Sequence, residues 1–263
     1  MKTITKFYNK FCSAKYQPIN FVRYKSLFIR LNGEILQVFN LKQSRNASAC
    51  NVEFGIFPLC LPQPIFLDAG RYELDAFLTE LRSGWSFDSN SEESMMDCVK
   101  SISKAIDMYL LPFFEKCYDC ESALSELIKL EELFDCNRQK RLHLMGEYDS
   151  AAPWQERSLF DYRKYYMALK SRNLSYAEQY LNYQVNFHKN ELKYFNNPNS
   201  PNQPETVIRR FEAKLSLVSE QLERLLSGDF GYFDDLIKSN ESEMLLYLAD
   251  KYPKVCPTDS FKK

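Results

Sequence analysis

The chain has 263 residues, 45% of them hydrophobic and 15% aromatic, enough to fill a real core and to exclude global disorder. Its seven glycines are too few for a many-turned all-β fold or a phosphate-cradling loop, both of which need glycine for close backbone approach. Net charge is −1, but residues 1–45 carry nine Lys/Arg against one acid, Glu34, whereas residues 46–135 carry six bases and seventeen acids.

The acid-free start MKTITKFYNKFCSAKY spaces Ile4, Phe7, Phe11 and Cys12 along one helical face. Residues 3–15 therefore read as an amphipathic helix, not as the continuous apolar core of a signal peptide. The runs at 18–31 and 34–43 read as strands joined by Asn32-Gly33, a hairpin signal in which both turn positions favour positive φ. A third strand at 49–61 pairs back antiparallel. Pro58, Pro62 and Pro64 end it, because proline has no donor for the ladder. A further short strand is expected near 85–87.

Residues 71–83 carry Leu74, Phe77, Leu78 and Leu81 at helical spacing. A polar cap at 88–94 precedes a long helix over 92–111, which Pro112 should break or bend. Residues 122–134 form the next helix, with Leu124, Leu127, Ile128 and Leu130 inward. Helices at 158–171 and 174–195 are joined by Arg172-Asn173, and Ala177 allows close approach. This pair resembles a tetratricopeptide-type hairpin, which must lean on neighbours to bury its face. A loop at 196–204 leads to a helix stopped by Gly228, then to a short last helix at 241–251. The fold class is α+β. An N-terminal antiparallel β-meander packed by helices (residues 1–135) precedes an all-α region (residues 136–263), separate or docked as one unit.

The order of these elements, with VFNLKQSR at Val38–Arg45, Phe54-Gly55-Ile56, Trp85, and LLPFF at Leu110–Phe114, resembles the bacterial family catalogued as domain of unknown function 4304 over roughly residues 1–195. Two positions depart from that pattern. Lys42 precedes Gln43 where the family has glutamine before lysine, and Glu53 stands where it has asparagine. A ligand read by those side chains would not be held in the same way here. The resemblance implies no activity.

Assembled catalytic chemistry is scarce. Cys117, Cys120, Cys136 and His143 supply four zinc-ligand types in order, but their spacing lacks a second close pair, and two cysteines at i, i+3 on a helix ordinarily pack as small hydrophobes. No metal or cofactor is expected. His143 and His188 lie in helical segments away from any nucleophile motif. No Walker, dinucleotide, HExxH or EF-hand pattern occurs. The basic strands carry Arg23 and Lys25 on one face and Tyr24 on the other, which argues against the shared aromatic and basic surface of single-strand RNA binders. A domain spanning the basic and acidic segments would also be modestly acidic, unlike typical nucleic-acid binders.

The expected function is a non-enzymatic protein-interaction module. The scattered cysteines and the missing signal peptide suggest the cytoplasm. No segment approaches the apolar length of a membrane span. The alternative is a binder of, or enzyme on, a small anionic ligand or nucleic acid at a basic strand end formed by Arg23, Lys42, Gln43, Ser44 and Arg45.

Overall fold

The computed structural model describes residues 3–43, 48–62, 72–78, 84–144, 161–197 and 204–256, with side chains at 75–76 and 138–144 set aside. Helix α1 (Ile4–Tyr16) buries Ile4, Tyr8, Cys12 and Tyr16. The expected face thus turns by part of a step. Tyr8 meets Phe28 edge-on and Tyr16 meets Phe39, so these two rings take the inward positions and leave Phe7 and Phe11 half-buried on a flank.

The run read as one strand at 18–31 is two. A 3₁₀ turn over Gln17–Ile19 and a left-handed Asn20 lead into β1 (Val22–Tyr24). Lys25, at φ 55°, and Ser26 then reverse the chain into β2 (Leu27–Asn32). The next hairpin is shifted from its expected register. Asn32 stays in the ladder opposite Ile35, and the two loop residues are Gly33 and Glu34. Gly33 alone has positive φ there (58°), and a Cβ on it would lie 2.2 Å from the Tyr118 carbonyl oxygen. That carbonyl accepts from the Glu34 N–H at 2.9 Å, so the turn is pressed onto backbone from a distant segment.

Strands β3 (Ile35–Gln43) and β4 (Ala49–Pro58) form the centre of the sheet, paired from Ile35↔Pro58 to Gln43↔Cys50. β4 then pairs with β5 (Tyr72–Glu73) through one stretch and with β6 (Trp85–Ser86) through another. The sheet is antiparallel, in the order β1-β2-β3-β4-β5 with β6 also beside β4. The described part of the expected 71–83 helix is therefore strand β5 and a 3₁₀ turn over Leu74–Phe77. The Tyr72 ring packs on Phe54 and Phe134, and such tertiary contacts outweigh a weak local helical preference.

Both faces of the sheet are covered, which explains the near-continuous apolar run of β3. One face presents Phe28, Phe39, Phe54 and Ile56 to the N-terminal helices. These are α1, α2 (Glu92–Ala105) and α3 (Leu111–Lys116), the last two joined by a π-turn over Ile106–Leu110. Pro112 does not break this rod. It sits in the first turn of α3, where its missing N–H costs little, and the wide turn before it absorbs the misfit. α2 begins at Ser91, whose side chain accepts from the Ser94 N–H, and carries Glu92 and Glu93 in its first turn, as expected from its polar cap.

The opposite face, with Ile29, Leu36, Val38 and Phe57, is covered by C-terminal residues including Tyr162, Tyr166, Met244 and Leu248. Here α4 (Cys120–Leu144) runs across position 135/136, and α5 (Tyr162–Lys170) packs against α4 and β4. α5 and α6 (Leu174–Phe195) make the expected hairpin, with Ala177 fully buried. α7 (Glu205–Ser227) lies along α6 and ends at left-handed Gly228. The last helix is longer than expected. α8 spans Phe230–Lys251 because Asp229 caps it immediately after Gly228, and its first half buries Phe233 and Ile237. The fold is thus α+β. No described helix is long and apolar enough to cross a membrane.

Two stability predictions follow from this packing. Replacing Gly33 with alanine combines an unfavourable φ with a clash onto backbone, and should lower unfolding free energy by about 2 kcal/mol or more in a urea titration. Burial pushes the phenols of Tyr8, Tyr72 and Tyr165 upward, and that of Tyr166 to about 12. They stay neutral in the fold but ionise near pH 10 once unfolded, so the unfolded chain releases its protons first. This stabilisation is complete below about pH 10 and is lost as pH rises through the folded values. Burial also pushes the thiols of Cys12 and Cys117 up, and unfolded thiols ionise near pH 8.5, so urea midpoints should begin to fall above about pH 8 and fall more steeply between roughly pH 10 and 12.

Candidate functional site: the flanks of the basic first helix

The candidate residues of the basic strand end do not converge. Arg23 pairs with Phe28 on the α1 side of the sheet. Lys42 follows Val38 and Asn40 by alternation and lies on the opposite face. Its ammonium is held by Glu53 and stands 3.9 Å from Glu73. The Glu53 hydrogen bond, and then its charge, raise the Lys42 pKa. Gln43 is exposed at the end of β3, opposite Cys50. Ser44 and Arg45 lie outside the described residues. Among the described residues, then, the sheet separates Arg23 from Lys42, and Lys42 is neutralised by carboxylates.

Arg23 instead joins α1. With Lys6, Lys10, Thr3, Asn9 and Ser13 it lines a polar cleft of about 540 Å³. Lys6, Lys10 and Arg23 form no ion pair among the described residues. Two atoms near them, Asn9 Oδ1 and Ser13 Oγ, are buried with no hydrogen-bond partner among the described residues. α1 contains no acidic residue, so nothing on the helix itself offsets these cations. On its other flank Phe7, Phe11, Ala14 and Met96 line an apolar groove of about 520 Å³ whose wall includes Lys10 and Lys15. Lys15 is engaged there by Asp107 and by the Ser103 hydroxyl at 2.7 Å. Lys10 lines both cavities and stands on the outer crest of the helix between them.

The remaining sequence candidates are dispersed. Cys117 and Cys120 are buried, whereas Cys136 is exposed on α4. Burial pushes the Cys117 thiol up. The Cys120 sulfur faces Cys60 at 3.9 Å. The His143 side chain lies outside the description, and no described group of three His, Cys, Asp or Glu is disposed to hold a metal. His188 is buried beside Phe187 and Phe211, and that burial lowers its pKa.

The most heavily charged buried feature was not anticipated from the sequence. Asp161, Arg163, Lys164 and Glu131 are all at least nine-tenths buried. Asp161 caps α5 by accepting from the Arg163 N–H at 3.0 Å, and its carboxylate also takes Arg163 Nη2 at 2.6 Å. Arg163 Nη1 donates to the Ile56 carbonyl at 3.0 Å, with the guanidinium against Phe57 and Tyr72. Glu131 accepts from Tyr72 Oη at 2.8 Å and from Lys164 Nζ. Burial drives the Lys164 pKa down, against the pull of Glu131. For Arg163 burial acts the same way, but Asp161 more than reverses it. The DYRK run at 161–164 lies inside the helix read at 158–171, and no local pattern marks its charges as buried; the side chain of Asp161, which accepts from the Arg163 N–H, is the local capping signal.

No family model, curated protein or solved structure matches the chain.

The enclosed network is structural, and its pairing can be measured. Removing either member alone, by Lys164→Met or Glu131→Gln, leaves a buried charge without its opposite in this pair and should cost about 3–5 kcal/mol. The double variant should cost clearly less than the sum of the two, as read by a double-mutant cycle in urea.

Proposed function

We propose that this chain is a non-enzymatic protein-interaction module that holds an amphipathic, acidic segment of a protein partner along α1. The observation that carries this reading is the position of Lys10. It lies between an apolar groove and a cleft holding three cations that have no ionic partner among the described residues. A segment with apolar side chains on one face and carboxylates on the next would fill both at once, the helix-in-groove mode of recognition. Unpaired cations on an acid-free helix would steer such a segment and set its register. The eight free cysteines support a cytoplasmic setting, where thiols stay reduced. Kinship with domain of unknown function 4304 belongs to the same proposal and supplies no activity.

A second reading rests on Asn9 Oδ1 and Ser13 Oγ. Buried polar atoms without partners among the described residues, beside Lys6, Lys10 and Arg23, also suit a small anion.

Fluorescence anisotropy with a labelled helical peptide pairing a Leu/Phe face with a Glu face separates the two. Micromolar binding is expected. It should weaken about tenfold or more in Lys6→Glu/Lys10→Glu and in Phe11→Ser, and fade with salt. Saturable binding of inorganic phosphate, lost in Arg23→Gln and without peptide affinity, would instead establish the second reading. Binding of neither would remove both.

A further inference from the structure

We propose that Cys98 and Cys50 form a peroxide-reactive dithiol, with Cys98 as the attacking thiol and Cys50 as the resolving one. Their sulfurs are 3.7 Å apart, although they come from α2 and the start of β4. A disulfide needs about 2.05 Å, so closure asks for a shift of roughly 1.7 Å between the two sulfurs.

Cys98 has a route to solvent. It forms part of the wall of a cavity of about 730 Å³, together with Trp85, Ser91, Glu93, Ser94 and Asp97. Cys50 is buried in the sheet beside β6, as the ladder partner of Trp85, with its sulfur 3.7 Å from the Trp85 carbonyl oxygen. Gly84 makes this close backbone approach possible. Its φ is +94°, and a Cβ there would lie 2.6 Å from the Cys50 carbonyl oxygen. The wall is polar and carries two carboxylates, so the co-reactant it admits best is small and uncharged, namely a hydroperoxide. Position distinguishes the two sulfurs: Cys98 lines the cavity, whereas Cys50 does not belong to its described wall. The thiolate is the nucleophilic form, and either sulfur can donate across the 3.7 Å contact, so the attack is assigned to the sulfur that an incoming peroxide meets first.

The chemistry balances with hydrogen peroxide as the oxidant. The Cys98 thiolate attacks one peroxide oxygen, the O–O bond breaks, and hydroxide leaves to take up a proton as water. This yields a sulfenic acid on Cys98. The Cys50 sulfur then displaces its hydroxyl, which leaves as a second water, and the S–S bond forms. Both thiols are oxidised by two electrons in total and the peroxide is reduced to two waters. An external dithiol reverses the step by exchange.

The chain contains its own control. Cys60 and Cys120 lie 3.9 Å apart, nearly the same separation, but are 0% and 2% exposed and do not belong to the described wall of this cavity. Proximity alone would let both pairs oxidise alike, whereas access selects Cys50–Cys98.

The test treats the folded full-length protein with hydrogen peroxide, quenches it with an alkylating reagent and maps the peptides by mass spectrometry. A Cys50–Cys98 cross-link forming at least about tenfold faster than Cys60–Cys120 is expected, since reactivity follows thiolate character and access. Equal rates for the two pairs, no cross-link at all, or Cys98 passing to sulfinic acid while Cys50 stays reduced would overturn the proposal. In Cys50→Ser the sulfenic acid on Cys98 should persist and be captured by dimedone, and absence of that label in a folded variant would count against it. The wild-type mapping decides the question even if that variant fails to fold.

Discussion

Four charged side chains and a tyrosine hydroxyl, brought together in the seam between the sheet and the helical layer, determine how the two halves of the chain fit. Moving an ion out of water costs several kcal/mol, and only close, hydrogen-bonded partners offset it. Here those partners come from separate segments. Asp161, Arg163 and Lys164 open α5, Glu131 belongs to α4, Tyr72 to β5, and the Ile56 carbonyl to β4. The site is satisfied only when all of them are in place, so it specifies one orientation of α5. Tyr162 and Tyr166 on that helix then reach the far face of the sheet, and α6 folds back from its end across Arg172-Asn173. Lys170 at its last turn extends the arrangement to the Gly33 hairpin, lying 2.8 Å from Glu34 while also meeting Glu241 of α8.

Much of this architecture was legible in the sequence where a local signal and the tertiary outcome agree. The strands at Ile35–Gln43 and Ala49–Pro58, the cap at Ser91, the hairpin around Ala177 and the stop at Gly228 all follow from alternation, capping or left-handed glycine. The misreadings share a different cause. Tyr72 and Leu74 sit in a helix-like pattern, but the Tyr72 hydroxyl and ring are claimed by partners distant in sequence. The split of residues 18–31 turns on Lys25 adopting positive φ, which an ordinary lysine gives no reason to expect.

The charge layout was visible, and its consequence was not. Lys42 and Arg23 are both bases on strands of one basic segment. Alternation placed Arg23 opposite Tyr24, as observed, yet nothing local showed that Glu53 and Glu73 would meet Lys42 from β4 and β5. The acidic middle of the chain therefore engages Lys42 and, on one flank of α1, Lys15, and leaves Lys6, Lys10 and Arg23 without an ion pair among the described residues. A net charge near zero conceals this, because neutralisation is settled by strand pairing and not by totals.

The π-turn at Ile106–Leu110 bears on the phase of a whole rod. Buried residues Ile102, Ile106, Leu110 and Phe114 recur every four positions. In a regular α-helix that interval drifts about 40° per step, and three steps would carry the last residue well off the stripe. The wider turn resets the angle. Upstream, α2 is phased to α1, with Met96 in the groove and Ser103 under Tyr16 and Lys15. Downstream, α3 is phased to the sheet, where Phe114 meets Phe39 and Phe54 and its carbonyl accepts from the buried Gln37 side chain at 2.6 Å. One unbroken helix could satisfy either set of neighbours but not both. The irregular turn therefore acts as a coupling between two registers, and any length change in this segment alters the alignment of the α1 groove with the sheet beneath it.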